Sequence, residues 1–368
     1  MLKFHRLKLK ARTSAAEDAV CLTFEVPAEL REAYRFEAGQ HLGLRLDIDG
    51  EEARRTYSIV SPAHGTDLAI GVRVQPGGRI SHYLAERLRL GDTLEVLTPN
   101  GSFHTRIEPD RAKVYVALAA GSGITPVISI AATVLEAEPL SRFMLIYGNR
   151  STSRAMFLEE LLALKDRYLT RFAVHFVMSR EPQDIELFNG RLTAAKVREL
   201  AECGVLDPAG TDEFFLCGPG SMVEDLNATL RELGARGRIH TELFRSDGTA
   251  VSAVEVAASG EAPGAAAPAP LAAGDLAQVA VVMDGRRRVF SMPMDGEAIL
   301  DAAARHGIEL PFSCRAGVCS TCRTKVVRGS VEMAQNFALE DWEVEAGYVL
   351  CCQSRPTSSE LEITYDER

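Results

Sequence analysis

The chain has 368 residues, 46% of them hydrophobic and 25% charged, an ordinary globular composition that provides for two or three domains. A formal net charge of -10 excludes a broad nucleic-acid-binding surface. The opening MLKFHRLKLKAR has no apolar run of signal-peptide length, and the protein is expected in the cytoplasm.

Up to about residue 108, HLGLRLDI, TYSIV, LAIGVRV and DTLEVLTP are short apolar or alternating runs punctuated by Gly and Pro. Their spacing predicts an antiparallel barrel or sandwich. One helix, SHYLAERLRL, is expected to interrupt it from about Ser81. From about Ala112 the rhythm changes. Four strands, KVYVALAAG, RFMLIYG, RFAVHFVMS and EFFLCG, alternate with helices in PVISIAATVLEAE, MFLEELLALKDRY, LTAAKVRELAECG and SMVEDLNATLRELGA. That alternation predicts a parallel sheet covered on both faces. The uncharged stretch 114–135 is long enough to span a bilayer, but Gly121, Ser122, Gly123, Thr125 and Pro126 break it into strand, turn and helix. It reads as buried core. The unit ends near IHTELF, residues 239–244.

Residues 245–275 include ASGEAPGAAAPAPLAAG, which cannot bury a core and reads as a semi-extended linker. The tail from about Leu276 has two strand-like runs around Asp284-Gly285, a helix EAILDAAARHG, a cysteine loop, TKVVRGSVEM and a last strand LEITYDE. It forms a small α+β unit. No internal repeat is visible.

Five of the eight cysteines lie in the last 55 residues. Reducing cytosol disfavours disulfides, so the clustering points to metal or redox chemistry. Cys314, Cys319 and Cys322 have the spacing C-x4-C-x2-C, and Cys352 follows thirty residues later. Four thiolates so spaced suit a plant-type [2Fe–2S] cluster. Ala316, Gly317, Ser320 and Thr321 are small enough to let backbone N–H groups reach the sulfurs. Zinc needs two short Cys or His pairs. The tail offers one, plus the adjacent Cys351-Cys352, whose side chains would point apart in a strand. Zinc and plain core cysteines are the alternatives.

CRAGVCSTC…GYVLCCQSRPTS resembles the plant-type ferredoxins over about 90 residues. The resemblance implies a β-grasp fold. It also implies Cys352 as the fourth ligand, since that family places a Pro four residues after its Leu-x-Cys, as Leu350, Cys352 and Pro356 are placed here.

Nearer the start, RRTYS (54–58) lets Arg55 pair with a pyrophosphate, Tyr57 stack on an aromatic ring and Ser58 bond a ring edge. In GGRISHYL (77–84), Gly77 and Gly78 free the backbone and Ser81 is expected to cap a helix whose N-terminus meets phosphate. Each motif alone also fits a plain strand with a surface arginine and a capped helix. Together, ahead of an α/β unit, they resemble the ferredoxin–NADP reductase superfamily, whose R-x-Y-S/T and G-x-x-S bind flavin. That implies a β-barrel flavin domain and FAD, with FMN, used by the related phthalate dioxygenase reductases, as the alternative. It also implies that Phe244 covers the second flavin face; a core aromatic is the other reading.

AAGSGITP (119–126) follows a buried strand and precedes a helix. Gly121 and Gly123 admit a diphosphate, Thr125 is expected to cap, and Pro126 completes the match to the superfamily's glycine loop. The G-x-G-x-x-G fingerprint of Rossmann dehydrogenases is missing. A packing turn is the alternative. CGPGSM (217–222) ends the fourth strand, where ligands bind in such sheets. By resemblance Cys217, with Gly218 and Pro219, lies beside the nicotinamide, which makes Cys217 and Ser58 the candidate catalytic residues. A buried structural thiol is the other reading of Cys217. Arg150 in YGNR, and the pair Ser179-Arg180, which resembles a 2′-phosphate site, favour NADPH over NADH.

The expected order is a flavin domain (1–108), a nicotinamide domain (109–244), a linker (245–275) and a ferredoxin domain (276–368). Hydride delivers two electrons and a cluster takes one, so a flavin must stand between them. YRFEAGQHL, GEEARRTYSI, GSGITP, LIYGNR and EVEAGYVLCCQ resemble the reductase subunits of phenylacetyl-CoA epoxidases, di-iron monooxygenases of phenylacetate breakdown. This implies those oxygenase subunits as partners, with neither nucleic acid nor membrane. The alternatives are a reductase for a Rieske or ketosteroid hydroxylase, and a redox-sensing ferredoxin-like protein without turnover. The acidic stretch Glu340, Asp341, Glu343 and Glu345 suits either a basic partner or a solvated turn.

Overall fold

A computed structural model describes residues 3–244 and 276–367, so the expected linker at 245–275 lies outside the described residues. The described residues divide into two compact units, 3–244 and 276–367.

The first unit begins with β1 (Phe4–Ala16), where Leu7 and Leu9 are buried between exposed Lys8 and Lys10. That alternation gives the strand one core face and one charged face. β2 (Ala19–Glu25), β3 (His41–Ile48), β4 (Glu51–Ser58), β5 (Leu68–Arg73) and β6 (Thr93–Leu97) complete an antiparallel sheet in the order β4-β3-β6-β1-β2-β5. Ile59, just past β4, bridges to Ile70 of β5 and closes the sheet into a barrel, which removes its exposed edges. Leu22, Phe24, Leu42, Leu44, Val72 and Val96 fill it with Leu7 and Leu9. β1 and β2 add to the strands expected from sequence.

The helix expected from Ser81 starts two residues earlier. α1 (Arg79–His82) runs into a widened π turn over Tyr83–Arg87 and stops at Leu88, whose backbone is extended.

The second sheet is parallel and has five strands, one more than expected: β7 (Val114–Ala120), β8 (Arg142–Asn149), β9 (Phe172–Met178), β10 (Glu213–Gly218) and β11 (Arg238–Leu243). Their order is β11-β10-β7-β8-β9. Tyr115, Ala117 and Ala119 of β7 share one core with Val127, Ile130 and Val134 of α2 (Ile124–Ala137), to which Leu161 of α3 (Leu158–Arg167) also belongs. Val116 and Leu118 share the other with Val197 of α4 (Ala194–Glu202) and Leu226 of α5 (Gly220–Glu232). Both faces of β7 are covered, which explains its unbroken apolar run. The winding reverses between β7 and β10, so their C-terminal ends open the crevice in which such sheets bind ligands.

Barrel and parallel sheet are bonded together within this unit. Ser129 of α2 donates to the Ser61 carbonyl at 2.6 Å, and Asp18 pairs with both Arg73 and Arg154.

The second unit opens with a hairpin, β12 (Leu276–Met283) and β13 (Arg286–Pro293). Its turn residues Asp284 and Gly285 have φ of 58° and 68°, and the Asp366 carboxylate accepts both their N–H groups at 2.7 and 2.9 Å. α6 (Ile299–Arg305), β14 (Arg323–Arg328), β15 (Val331–Met333), α7 (Asp341–Glu345), β16 (Tyr348–Leu350), β17 (Ser354–Pro356) and β18 (Glu360–Thr364) follow. The main sheet runs β13-β12-β18-β14-β16, with β12 and β18 parallel and α6 packed on it, and β15 pairs with β17. This is the expected β-grasp. Glu343 is fully buried on Arg323 and shares a capping box with Glu340. Glu343 is therefore committed inside the fold and Glu340 is engaged in the cap, which weakens the stretch's reading as a partner face. Among the described residues no helix is long and apolar enough to cross a membrane.

Candidate functional site

The two glycine loops meet at the crevice. β7 ends in Gly121–Gly123, and β10 ends in Cys217 and Gly218. A side chain on Gly123 would collide with the Cys217 carbonyl, so the close approach requires glycine. Gly121 has φ 58°, and its carbonyl accepts the Tyr147 hydroxyl at 2.7 Å. Thr125 is not the expected cap. It lies inside α2 and donates to the Ser122 carbonyl at 2.9 Å, while Gly123 holds the cap position. Among the described residues no side chain caps α2, whose N-terminus therefore suits an anion. Pro126 in the first turn withdraws no bond the helix needs.

Cys217 is fully buried, and its Sγ lies 3.8 Å from Glu242 Oε2 on the neighbouring strand. Glu242 Oε1 lies 3.9 Å from His41 Nδ1, and His41 is the register partner of Ser58, itself buried. A line of four side chains, Ser58, His41, Glu242 and Cys217, thus joins barrel to parallel sheet. The sequence reading chose its two ends and missed its middle. A lone glutamate in the apolar run IHTELF is the signal that could have found Glu242. Burial pushes Glu242 up to about 8, so at neutral pH it is protonated and can donate a hydrogen bond. Burial, helped by Glu242, pushes the Cys217 thiol well above its usual range, which favours the neutral thiol there.

Arg55 and Tyr57 oppose Leu44 and Leu42 across the barrel sheet, while Ser58 points to the other face. Tyr57 packs against the barrel core, and burial raises its phenol beyond the ordinary range. Arg55 is half-buried with no ion pair among the described residues, an uncompensated charge that a pyrophosphate would neutralise. Ser81 does not cap α1. Its buried Oγ accepts from Gln75 N and donates to the Gly78 carbonyl, both at 3.1 Å, and so locks the loop ahead of the helix. A Cβ on Gly78 would lie 2.7 Å from that oxygen. Phe244 donates its N–H to the Gly218 carbonyl at 2.7 Å and packs at the margin of the core that holds Cys217.

Arg150 and Arg180 are exposed at the heads of β8 and β9, tied by Arg180 N to the Arg150 carbonyl at 2.9 Å. Ser179 N donates to the Asn149 carbonyl at 2.9 Å. The buried Asn149 carboxamide has no hydrogen bond of ordinary geometry among the described residues, so this rim suits a polar ligand.

In the second unit the cysteine loop lies between α6 and β14. Arg315, Gly317 and Ser320 have φ of 54°, 72° and 47°, which coils the loop tightly. The four thiols expected from the spacing group as two pairs, Cys314 with Cys319 and Cys322 with Cys352. Among the described residues no three His, Cys, Asp or Glu side chains converge on one metal ion. A mononuclear zinc site needs that convergence, whereas a [2Fe–2S] cluster divides four thiolates between two irons.

Ala316 N lies 3.4 Å from Cys314 Sγ, Cys314 N 3.5 Å from Cys319 Sγ, and Gln353 Nε2 3.5 Å from Cys352 Sγ, donors that suit anionic sulfur. The hydrogen bond to Cys319 leads several that bring Cys314 down to about 6, and the bond to Cys322 lowers Cys352. Ser313 Oγ is buried beside the loop with no hydrogen bond among the described residues, another mark of a site that suits a polar group. Cys351 and Cys352 follow β16 in a turn and not in a strand. Their thiols still diverge, Cys352 toward Cys322 and Cys351 toward Tyr365.

A barrel with a phosphate-ready arginine, a parallel sheet with a glycine crevice, and a four-thiol loop on a β-grasp define a flavin- and nicotinamide-dependent iron–sulfur reductase. Models of known families match in the same order: an oxidoreductase FAD-binding domain over residues 6–105, an oxidoreductase NAD-binding domain over 117–228, and a 2Fe-2S iron-sulfur cluster binding domain over 281–357.

The chain belongs to the ferredoxin–NADP reductase superfamily with a C-terminal [2Fe–2S] domain, and is an oxidoreductase of the class that serves oxygenases as reductase component. It is 41% identical to one of the subunits of 1,2-phenylacetyl-CoA epoxidase from Escherichia coli, over 100% of this chain and 99% of that protein. It is 33% identical to the ferredoxin reductase component of 3-ketosteroid-9-alpha-monooxygenase from Rhodococcus rhodochrous, over 98% of this chain and 96% of that one. In fold it resembles phthalate dioxygenase reductase, described as a modular structure for electron transfer from pyridine nucleotides to [2Fe-2S], with a TM-score of 0.57, 23% identity and 98% of each chain covered.

Proposed function

We propose that the chain is the reductase of a phenylacetyl-CoA epoxidase, carrying electrons from NADPH through FAD and a [2Fe–2S] cluster to the di-iron oxygenase subunits in the cytoplasm. The observation that carries the partner is the 41% identity to a phenylacetyl-CoA epoxidase component along the whole chain, against 33% to a ketosteroid monooxygenase reductase. Residues 1–108 form the flavin domain, 109–244 the nicotinamide domain and 276–368 the ferredoxin domain, joined by the linker 245–275.

Bound FAD supplies the conversion of a hydride pair into single electrons, and the cluster supplies a one-electron station. The protein's part is to bind and orient. Arg55, Tyr57, Ser58, Gly78, Ser81 and Phe244 hold the flavin. Gly121, Gly123, Thr125, Pro126, Gly218 and Pro219 shape the nucleotide crevice, and Arg150, Ser179 and Arg180 meet the 2′-phosphate. Cys217 and Ser58 flank the reacting rings, with Glu242 and His41 between them as proton-bearing support. Cys314, Cys319, Cys322 and Cys352 bind the irons.

The test is reconstitution. Purified protein, the epoxidase oxygenase subunits, phenylacetyl-CoA and NADPH should yield oxygenated CoA ester, with NADH a poorer donor. Reduction of ferricyanide by NADPH without any oxygenation would overturn the partner. No NADPH oxidation by flavin-loaded protein would overturn the reductase.

A further inference from the structure

Tyr365 follows β18 directly and continues its core-facing positions, Leu361 and Ile363. Its N–H donates to the Val282 carbonyl at 2.9 Å, which fixes the residue between β12 and β18. The side chain packs against the core that contains Cys322, Cys351 and Cys352. The hydroxyl is buried and has no hydrogen bond of ordinary geometry among the described residues. It faces the Cys351 thiol, with Cys322 and Cys352 in electrostatic reach. Cys351 is itself fully buried, and its N–H donates to the Cys322 carbonyl at 3.1 Å.

A buried hydroxyl without a partner is destabilising, and a phenylalanine would fill the same space without that penalty. The hydroxyl's position gives it another use. A hydroxyl dipole close behind ligand sulfurs can favour the form that carries the extra negative charge, and such dipoles are among the terms that set iron–sulfur potentials. We infer that Tyr365 is a positioning residue for electron transfer: its hydroxyl, directed at Cys351 behind Cys322 and Cys352, raises the cluster's affinity for its electron. The inference rests on the assignment of Cys314, Cys319, Cys322 and Cys352 as ligands.

The experiment compares full-length wild type with Tyr365→Phe. Iron and sulfide content are measured first, followed by an anaerobic redox titration read by visible absorbance and EPR. Tyr365→Phe should retain its iron and sulfide. Its one-electron reduction equilibrium should fall about three- to tenfold, a tenfold change being 59 mV for one electron. NADPH–ferricyanide reduction, which needs only the flavin, should not change. In a Cys351→Ala background the same substitution should shift the potential less, because the sulfur it addresses is gone. An unchanged potential with full iron content overturns the inference, and so does loss of iron from Tyr365→Phe, which would make the hydroxyl a structural requirement of the loop only. Absence of iron from well-prepared wild type would instead sink the ligand assignment. If the variant fails to fold, pulsed EPR of the reduced wild type carrying tyrosine labelled with 17O at the phenol decides: no coupling of that oxygen to the cluster refutes the role, and a coupling supports it.

Discussion

The cysteine loop and the nucleotide crevice are both built to hold a redox group, yet they are assembled in opposite ways. The loop takes three of its four thiols from nine residues of chain, coiled by left-handed backbone at Arg315, Gly317 and Ser320. Only Cys352 arrives from a distance. The crevice draws His41, Ser58, Gly123, Cys217, Glu242 and Phe244 from separate strands and loops, and they meet because one sheet reverses its winding beside a closed barrel. A local site fails alone when one residue changes. A distributed site fails with its fold.

The largest effect expected tests that difference directly. Cys322→Ser or Cys352→Ser should abolish the visible cluster spectrum and cluster-dependent cytochrome c reduction, while NADPH–ferricyanide turnover stays at wild-type level. Cys351→Ser should keep the cluster, since its thiol turns toward Tyr365. Loss of ferricyanide turnover in the ligand variants would break the comparison, and a colourless Cys351→Ser with a brown Cys352→Ser would reverse the ligand choice.

The next effect concerns two carboxyls on adjacent strands that respond to pH with opposite sign. Burial raises Glu242 from an ordinary 4.5 to about 8, so the native state holds a proton that the unfolded chain releases between those values. Its contribution to stability is complete below pH 4.5 and is lost as pH rises to 8, by at most about 1.4 kcal/mol per pH unit. Burial alone would also raise Glu213, but hydrogen bonds from His240, Thr105 and Lys113 outweigh it and bring the group to about 2. Its contribution is present above pH 4.5 and is lost as pH falls toward 2. Urea unfolding of the wild type across pH 5 to 8 should therefore show declining stability, and Glu242→Gln should flatten the decline. An unaltered slope in the variant would remove Glu242 from the account.

Gly123→Ala should follow, with a loss of about 1–3 kcal/mol from overpacking against the Cys217 carbonyl. Both denaturation midpoint and NADPH affinity should drop, because the two loops share that contact. Gly77→Ala, where a Cβ meets nothing within 4 Å, is the control for the loop on the barrel side; its φ of 73° leaves only the smaller backbone penalty.

These contrasts explain what could be read from the chain before folding it. The three-part architecture was legible because each part has its own period: alternating runs, strand–helix alternation, and a cysteine spacing. β1 was hidden because Leu7 and Leu9 stand among lysines, so the half-buried strand shows no continuous apolar run. The glycine loops were visible because backbone approach has a residue signature. The roles of Ser81 and Thr125 were not, since a hydroxyl near a helix start reads as a cap wherever the helix begins one or two residues away. His41 escaped because its meaning exists only across the interface between barrel and sheet, and Glu242 offered only its charge within IHTELF as a signal.

The smallest expected effect lies at the rim. Arg180 stands at the head of β9, exposed and with no ion pair among the described residues, its backbone tied to Arg150. It carries no packing, so Arg180→Ala should leave the unfolding midpoint within experimental scatter. What it should remove is one charged hydrogen bond to a phosphate present on NADPH and missing from NADH. At about 1.5 kcal/mol, that is roughly a tenfold rise in KM for NADPH with kcat held and NADH kinetics unmoved. Because the contact is solvent-exposed, the NADPH preference of the wild type should shrink as salt rises, and the variant's should not. An equal rise in KM for both nucleotides would place Arg180 on the shared diphosphate, and no change in either would leave the choice of nucleotide to Arg150 and Ser179.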